Sequence, residues 1–124
     1  MPAVKMNVVH EHDGTPIPGL VALFWGTASE GTRTGHGGRS RLLFAVEAVS
    51  NESGELHFPK QDFNSQPFSR STNHDNPEML LLKPGYAPLV LINRLRIIPT
   101  LAEVSRWEYE GSTVQMKKVR HARR

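Results

Sequence analysis

The chain has 124 residues, a formal net charge of +3 and no cysteine. This length suits a single domain, and the lack of cysteine excludes disulfides, thiolate nucleophiles and cysteine-ligated metal centres. No apolar run approaches the ~20 residues of a membrane-spanning helix, and the first residues lack the apolar core of a secretory signal. These features leave the compartment open.

The positive charge is concentrated at the C-terminus. The last eight residues hold five basic side chains and no acid, namely Lys117, Lys118, Arg120, Arg123 and Arg124. We therefore expect one domain over residues 1–119 and a basic tail over residues 120–124. Such a cluster can bind nucleic acid or an anionic membrane surface, and the alternative is a solvated terminus.

Short apolar or alternating runs, cut by glycine, proline and asparagine turn signals, predict seven strands. In chain order these strands cover residues 3–10, 20–25, 42–49, 55–58, 78–82, 88–98 and 113–119. A short helix over residues 101–109 is compatible with the pattern. A parallel α/β fold is disfavoured because its crossover connections need helices. The predicted fold class is an all-β, seven-stranded antiparallel sandwich of the immunoglobulin-like kind.

The connections between these strands alternate in length. Residues 13–19, 50–54 and 83–87 form short turns, whereas residues 26–41, 60–77 and 99–112 form long polar segments. If consecutive strands run antiparallel, all three long segments lie at one end of the domain. Long connections in compact domains are often functional, so this end is the first predicted binding surface.

Three turn motifs in order resemble a known pattern. They are Asp13-Gly14-Thr15-Pro16-Ile17-Pro18-Gly19, the turn Ser50-Asn51-Glu52-Ser53-Gly54 with the strand that follows it, and Lys83-Pro84-Gly85-Tyr86. The chain over residues 4–98 resembles the carboxypeptidase regulatory-like domains, which have a transthyretin-like (prealbumin-like) sandwich fold. It departs from them at Ser50-Asn51, where Thr-Asp is common, and at Leu56, where an aromatic is common. The resemblance implies a usually non-catalytic domain, often periplasmic or extracellular.

Arginines, histidines and aromatics occur together in the long connections. The candidate partner-binding residues are Arg33, His36, Arg39, Arg41, Arg70, His74, Arg106, Trp107 and Tyr109. Arginine and aromatic side chains are enriched at protein interfaces, and they also suit carbohydrate or single-stranded nucleic acid. If the loops meet, His36, His74 and Asp75 are candidates for a metal site or an acid–base pair. The alternative is a solvated loop surface with Trp107 packed inward.

Two further arrangements suggest chemistry. His10 and His12 lie two residues apart on one strand face and are weak candidates for a metal site, with His57 as third ligand if its strand lies alongside. His10 and Tyr109-Glu110-Gly111-Ser112 also resemble residues of transthyretin-like hydrolases. However, Glu110 reverses the expected charge there, and another strand follows the motif. No cofactor is predicted.

The function predicted from these patterns is a non-catalytic binding or accessory module that docks a protein partner, as a subunit of a larger complex. One alternative is a small transthyretin-like hydrolase or metal-binding enzyme. Another is a binder of anionic surfaces or nucleic acid through the basic tail. An exposed edge strand also allows pairing of two copies of the chain.

Overall fold

The computed structural model of this chain describes residues 1–30, 39–61, 72–74, 77–93 and 107–119. These residues form no helix and eight strands. The strands are β1 (Val4–His10), β2 (Val21–Glu30), β3 (Arg39–Val49), β4 (Glu55–Phe58), β5 (Thr72–His74), β6 (Glu78–Leu82), β7 (Leu89–Ile92) and β8 (Thr113–Met116).

The strands form two sheets. The first sheet has the order β4-β1-β8, and the second has the order β3-β2-β6-β7 with β5 also pairing β2. The predicted all-β sandwich is confirmed, whereas a purely antiparallel arrangement is wrong at one pair, because β8 runs parallel to β1 from Asn7↔Thr113 to His10↔Met116. Successive strands alternate in direction and β5 continues into β6, so the first and last strands point the same way.

The strands of the second sheet extend beyond their predicted limits. β2 and β3 stay paired as far as Glu30↔Arg39, although this stretch was predicted to be loop. β5 pairs with residues 28–30 of β2, in line with β6, which pairs with residues 21–25. Backbone hydrogen bonds extend a hairpin regardless of side-chain polarity, so hydropathy did not reveal this part of the sheet. By contrast, β8 ends three residues earlier than predicted, and β7 ends at Ile92, while residues 94–98 of its predicted range lie outside the described residues.

The predicted helix over residues 101–109 is only partly testable. Residues 101–106 lie outside the described residues, and Trp107 begins a turn that continues through Gly111. The backbone amide of Glu110 donates to the carbonyl of Trp107 at 3.1 Å, and the amide of Ser112 donates to Tyr109 at 3.0 Å. The described part of this segment is therefore a turn leading into β8.

The core lies between the inner faces of the two sheets. Phe24 of β2 is its centre, with its ring centroid 5.1 Å from that of Phe44, 5.3 Å from that of Phe58 and 4.8 Å from that of Trp107. The smaller buried apolar side chains come from both sheets and include Met6, Val8, Leu56, Met79, Leu81 and Met116. Because the core side chains come from both sheets, neither sheet would retain its packing alone.

A bulge in β3 shapes one side of this core. The register of β2 and β3 shifts between Gly26 and Thr27, and Leu43 becomes an extra residue on β3. Leu43 and Phe44 are consequently both buried. A Cβ on Gly26 would lie 2.5 Å from the Phe44 ring, so glycine is needed for this close approach.

The two ends of the sandwich differ, as the connection lengths predicted. At one end lie the three short turns, where the amide of Gly19 donates to Ser50 at 3.0 Å and that of Ala87 donates to Lys117 at 2.8 Å. At the other end, the amide of Glu108 donates to Asn93 Oδ1 at 3.0 Å. The strand ends that flank all three long connections lie at this second end.

Candidate functional site

The predicted loop site is only partly within the described residues. Arg33, His36, Asp75, Arg70 and Arg106 lie outside them. Three other candidates belong to strands of the second sheet, since Arg39 and Arg41 are in β3 and His74 is in β5. The register aligns Arg41 and His74 in one row on either side of Ala28, which corrects their assignment to loops.

The two aromatic candidates belong to the core. Trp107 is 3% exposed, and its Nε1 donates to the sulfur of Met6 at 3.2 Å. Tyr109 is half-buried, and its ring centroid lies 5.3 Å from that of Trp107. An indole held in this way stabilises the sandwich, so the expectation of an exposed Trp107 at a binding surface is corrected.

The histidine pair does not acquire its proposed third ligand. The Tyr86 hydroxyl lies 2.8 Å from Nδ1 of His10 and 3.0 Å from its Nε2, at the short-turn end of β1. His57 pairs with Lys5, five residues along β1 from His10 and about 16 Å away at the usual strand rise. Among the described residues no group of three metal-ligating side chains occurs.

The residues of the hydrolase alternative are also separated. The turn that contains Tyr109 and Ser112 is bound to the start of β1, where Gly111 donates its amide to the carbonyl of Lys5 at 2.7 Å. His10 lies at the opposite end of the same strand. This geometry brings no nucleophile, base or anion-binding group of that motif within hydrogen-bond distance of His10.

The residues that precede the basic tail lie beside the histidines. A groove of about 730 Å³ is lined by His10, Glu11, His12, Asp13, Lys117, Lys118 and Val119. Lys117 and Lys118 are exposed, whereas Arg120, Arg123 and Arg124 lie outside the described residues. The Thr15 backbone amide and hydroxyl, which donate to Asp13, hold the pKa of its carboxyl below the usual value. Acidic and basic groups alternate in this groove, at the end opposite the long connections.

The outer face of the first sheet is mostly polar. Lys5 and His57 are exposed on it and pair with each other in the register, and Glu55, which pairs with Asn7, is half-buried. Lys5 Nζ lies 3.2 Å from Glu55 Oε2, and Asn51 Nδ2 donates to Glu55 Oε1 at 3.1 Å. Both contacts lower the pKa of Glu55, the Asn51 hydrogen bond most strongly. We call this surface the polar face.

The outer face of the second sheet is apolar. Trp25, Leu23 and Val21 point outward from the central strand β2, because Phe24 and Ala22 between them point into the core. The register places further apolar residues beside them on β3, β6 and β7. We call this surface the apolar face, and its members are Val21, Leu23, Trp25, Leu42, Ala45, Val49, Leu80, Leu82, Val90 and Ile92.

Several side chains of the apolar face are open to solvent. Val49, Val90 and Leu42 each expose more than half of their surface, at 57%, 52% and 51%. On this face a shallow groove of about 400 Å³ is lined by Leu23, Trp25, Leu42, Ala45 and Glu47. An exposed apolar surface of contiguous residues on a sheet commonly marks an interaction site.

Two carboxylates interrupt the apolar face. Glu47 pairs with Leu23, and Glu78 pairs with Trp25 on the opposite side of β2. Neither carboxylate has an ion-pair or hydrogen-bond partner within the part of the chain that the structure describes. The face thus combines an apolar centre with two carboxylates that have no counter-charge among the described residues.

The apolar face was missed by the sequence analysis, although a signal for it was present. Residues 20–25, 79–82 and 89–92 are continuous apolar runs, not alternating ones. Such runs are typical of strands covered on both faces.

Comparisons with known proteins do not assign the chain to a family. No protein-family model matches it, and no curated protein matches it either. Among the described residues, no helix has the length and apolar character needed to cross a membrane.

Proposed function

We propose that this protein is a non-catalytic binding module that docks a protein partner through the apolar face, as a subunit of a larger complex. The observation that carries the proposal is the exposed row of apolar side chains around Trp25 on the second sheet. The resemblance to carboxypeptidase regulatory-like domains, which are usually non-catalytic, agrees with it.

The chemistry of the apolar face favours a protein over other binding partners. Aliphatic side chains with a central tryptophan are typical of the buried centre of protein interfaces. Nucleic acid and anionic membranes are repelled by Glu47 and Glu78, and burial of unpaired carboxylates in lipid is costly.

The two alternative functions have less support. The groove beside Lys117 and Lys118 also contains Glu11 and Asp13, so its described residues present no uniform positive charge to an anion. The hydrolase motif is divided between the two ends of β1. Both alternatives remain less favoured predictions.

Site-specific photocrosslinking in cells that naturally produce the protein tests the proposal. A benzophenone amino acid at Val90 of the apolar face should give one defined protein adduct, identified by mass spectrometry. The same amino acid at Gln115 of the polar face is the matched control and should give none. The identified partner should then bind the purified protein, and Val90→Asp should weaken binding about tenfold or more, because a charge enters an apolar contact.

Three outcomes would contradict the proposal. Equal adducts at Val90 and Gln115 would indicate random collisions, and absence of an adduct at Val90 would leave the face without a partner. Unchanged affinity of Val90→Asp, with an unaltered melting temperature, would place the docking surface elsewhere.

A further inference from the structure

We infer that the partner segment carries an apolar anchor flanked by two basic side chains, about 12 Å apart, which pair with Glu47 and Glu78. This inference rests on the proposed function and names the chemistry of the partner at that same face.

The positions of the two carboxylates define the spacing. Glu47 lies on β3 opposite Leu23, and Glu78 lies on β6 opposite Trp25. The two glutamates are therefore two strands apart and offset by two residues along β2, which corresponds to about 12 Å at the usual strand spacing and rise. Leu23 and Trp25 lie between them, and the groove beside Trp25 accepts the apolar anchor.

Burial of the apolar face against a partner makes the two carboxylates determine which partner can bind. Docking removes water from Glu47 and Glu78, and an ionised carboxylate buried without a partner is strongly destabilising. Within the described chain neither carboxylate has a cation that accompanies it into the interface. We therefore assign the cations to the partner, where lysine or arginine supplies them.

A second copy of this chain does not satisfy that requirement. Face-to-face packing of two identical apolar faces brings four carboxylates together, and the residues that form this face include no lysine or arginine. Like charges placed opposite one another disfavour such a pairing. The charge pattern therefore selects a different, basic protein segment.

The spacing restricts the sequence of the partner segment. Two basic residues about 12 Å apart are separated by seven or eight positions in a helix or by about four positions in a strand. The apolar anchor lies between them in either case. Because the two glutamates and the groove lie on one surface, the basic residues and the apolar anchor must share one side of the segment.

Selection from a random library of displayed 16-residue peptides tests the inference on the intact protein. Peptides enriched on the wild type should contain an aromatic or aliphatic anchor with two basic residues at one of these spacings. The double variant Glu47→Lys/Glu78→Lys should weaken their binding about tenfold or more, since charge reversal places like charges opposite one another. The isosteric Glu47→Gln/Glu78→Gln variant should give an intermediate loss.

Two control variants separate this inference from the proposed function. Glu11→Lys/Glu52→Lys makes the same change in net charge away from the apolar face and should leave peptide affinity unchanged. Val90→Asp should abolish binding whatever the peptide charge. Circular dichroism melting curves verify that each variant is folded.

Four results would overturn the inference. Two of them concern peptides that lose binding in Val90→Asp. If such peptides carry no basic pair, or if they bind Glu47→Lys/Glu78→Lys as well as the wild type, the apolar face docks a partner without charge pairing. The proposed function then survives alone. If Val90→Asp has no effect, both fail. A concentration-dependent dimer in analytical ultracentrifugation, abolished by Val90→Asp, would assign the face to a second copy.

Discussion

The polar face and the apolar face are the outer surfaces of the same sandwich, yet they differ in kind. On the first sheet, Lys5 and Glu55 form an ion pair open to solvent, and Nε2 of His57 lies 4.0 Å from Oε1 of Glu55. On the second sheet, the corresponding outward positions around Trp25 are aliphatic, and two carboxylates there have no partner among the described residues. The inner faces of both sheets are apolar and pack together.

This difference supports the proposal that the two outer faces have different roles. A sandwich needs one apolar face for each sheet, and the polar face follows this pattern. The second sheet has two apolar faces, and only the inner one is needed for folding. The apolar residues at the outer face therefore support the proposed docking surface, because large exposed apolar patches commonly mark interaction sites.

The largest expected effect separates the inner from the outer face of the second sheet. Phe24→Ala should lower the free energy of unfolding by about 3–5 kcal/mol, because it removes the ring at the centre of the core. Val90→Ala, at a side chain that is 52% exposed, should cost less than about 1 kcal/mol. Urea denaturation of both variants measures this. Similar losses would mean that the apolar face is covered within the molecule.

The next effect concerns the hydrogen bonds of Ser50, in the connection that leads from the second sheet to the first. Ser50 is buried, accepts from the Leu20 amide at 2.9 Å and donates to the Ile17 carbonyl at 2.6 Å. Ser50→Ala leaves both backbone groups unsatisfied and should cost about 2–3 kcal/mol. Ser53→Ala, in the exposed part of the same turn, is the control and should change stability by less than about 0.5 kcal/mol. Equal values would show that water replaces the Ser50 hydroxyl.

Binding of an apolar dye distinguishes the two outer faces directly. Anilinonaphthalene sulfonate should bind the folded protein at the apolar face, and Val90→Lys/Ile92→Lys should remove most of its fluorescence. Thr113→Lys/Gln115→Lys adds the same charge to the polar face and should not reduce the signal. A loss of fluorescence in the control pair would contradict the assignment of the dye to the second sheet.

The smallest expected effect is the pH dependence of folding stability that arises from Glu55 on the polar face. The pKa of Glu55 lies below its ordinary value of 4.5 because Asn51 and Lys5 contact its carboxylate. The Glu55 carboxyl therefore binds its proton more readily in the unfolded chain than in the folded one. Its contribution to folding stability is fully present above the ordinary pKa and is lost as pH falls through the lowered pKa. Lys5→Met should raise the pKa of Glu55, measured by carboxyl NMR titration. Lys60→Met should not, and an unchanged Glu55 in Lys5→Met would refute the contact.

Part of the fold was predictable from local signals. The limits of β4 and β6 were correct to the residue, since each is bounded by glycine, proline or polar turn residues. The turn chemistry around Asp13, Ser50 and Gly85 also placed the short connections at one end. By contrast, the outer stretches of β2 and β3 are polar, and only their pairing with each other and with β5 makes them strands.

The candidate site was less predictable because it depends on which strands become neighbours. Sequence alone determined an all-β chain of short strands with a basic C-terminus, since alternation, turn residues and charge are local properties. Only the tertiary structure decided that Trp107 belongs to the core while Trp25 faces outward. It also decided that Glu47 and Glu78 lie on either side of β2. Strand pairing assembles this surface from residues far apart in the chain, and which strands become neighbours is not a local property of the sequence.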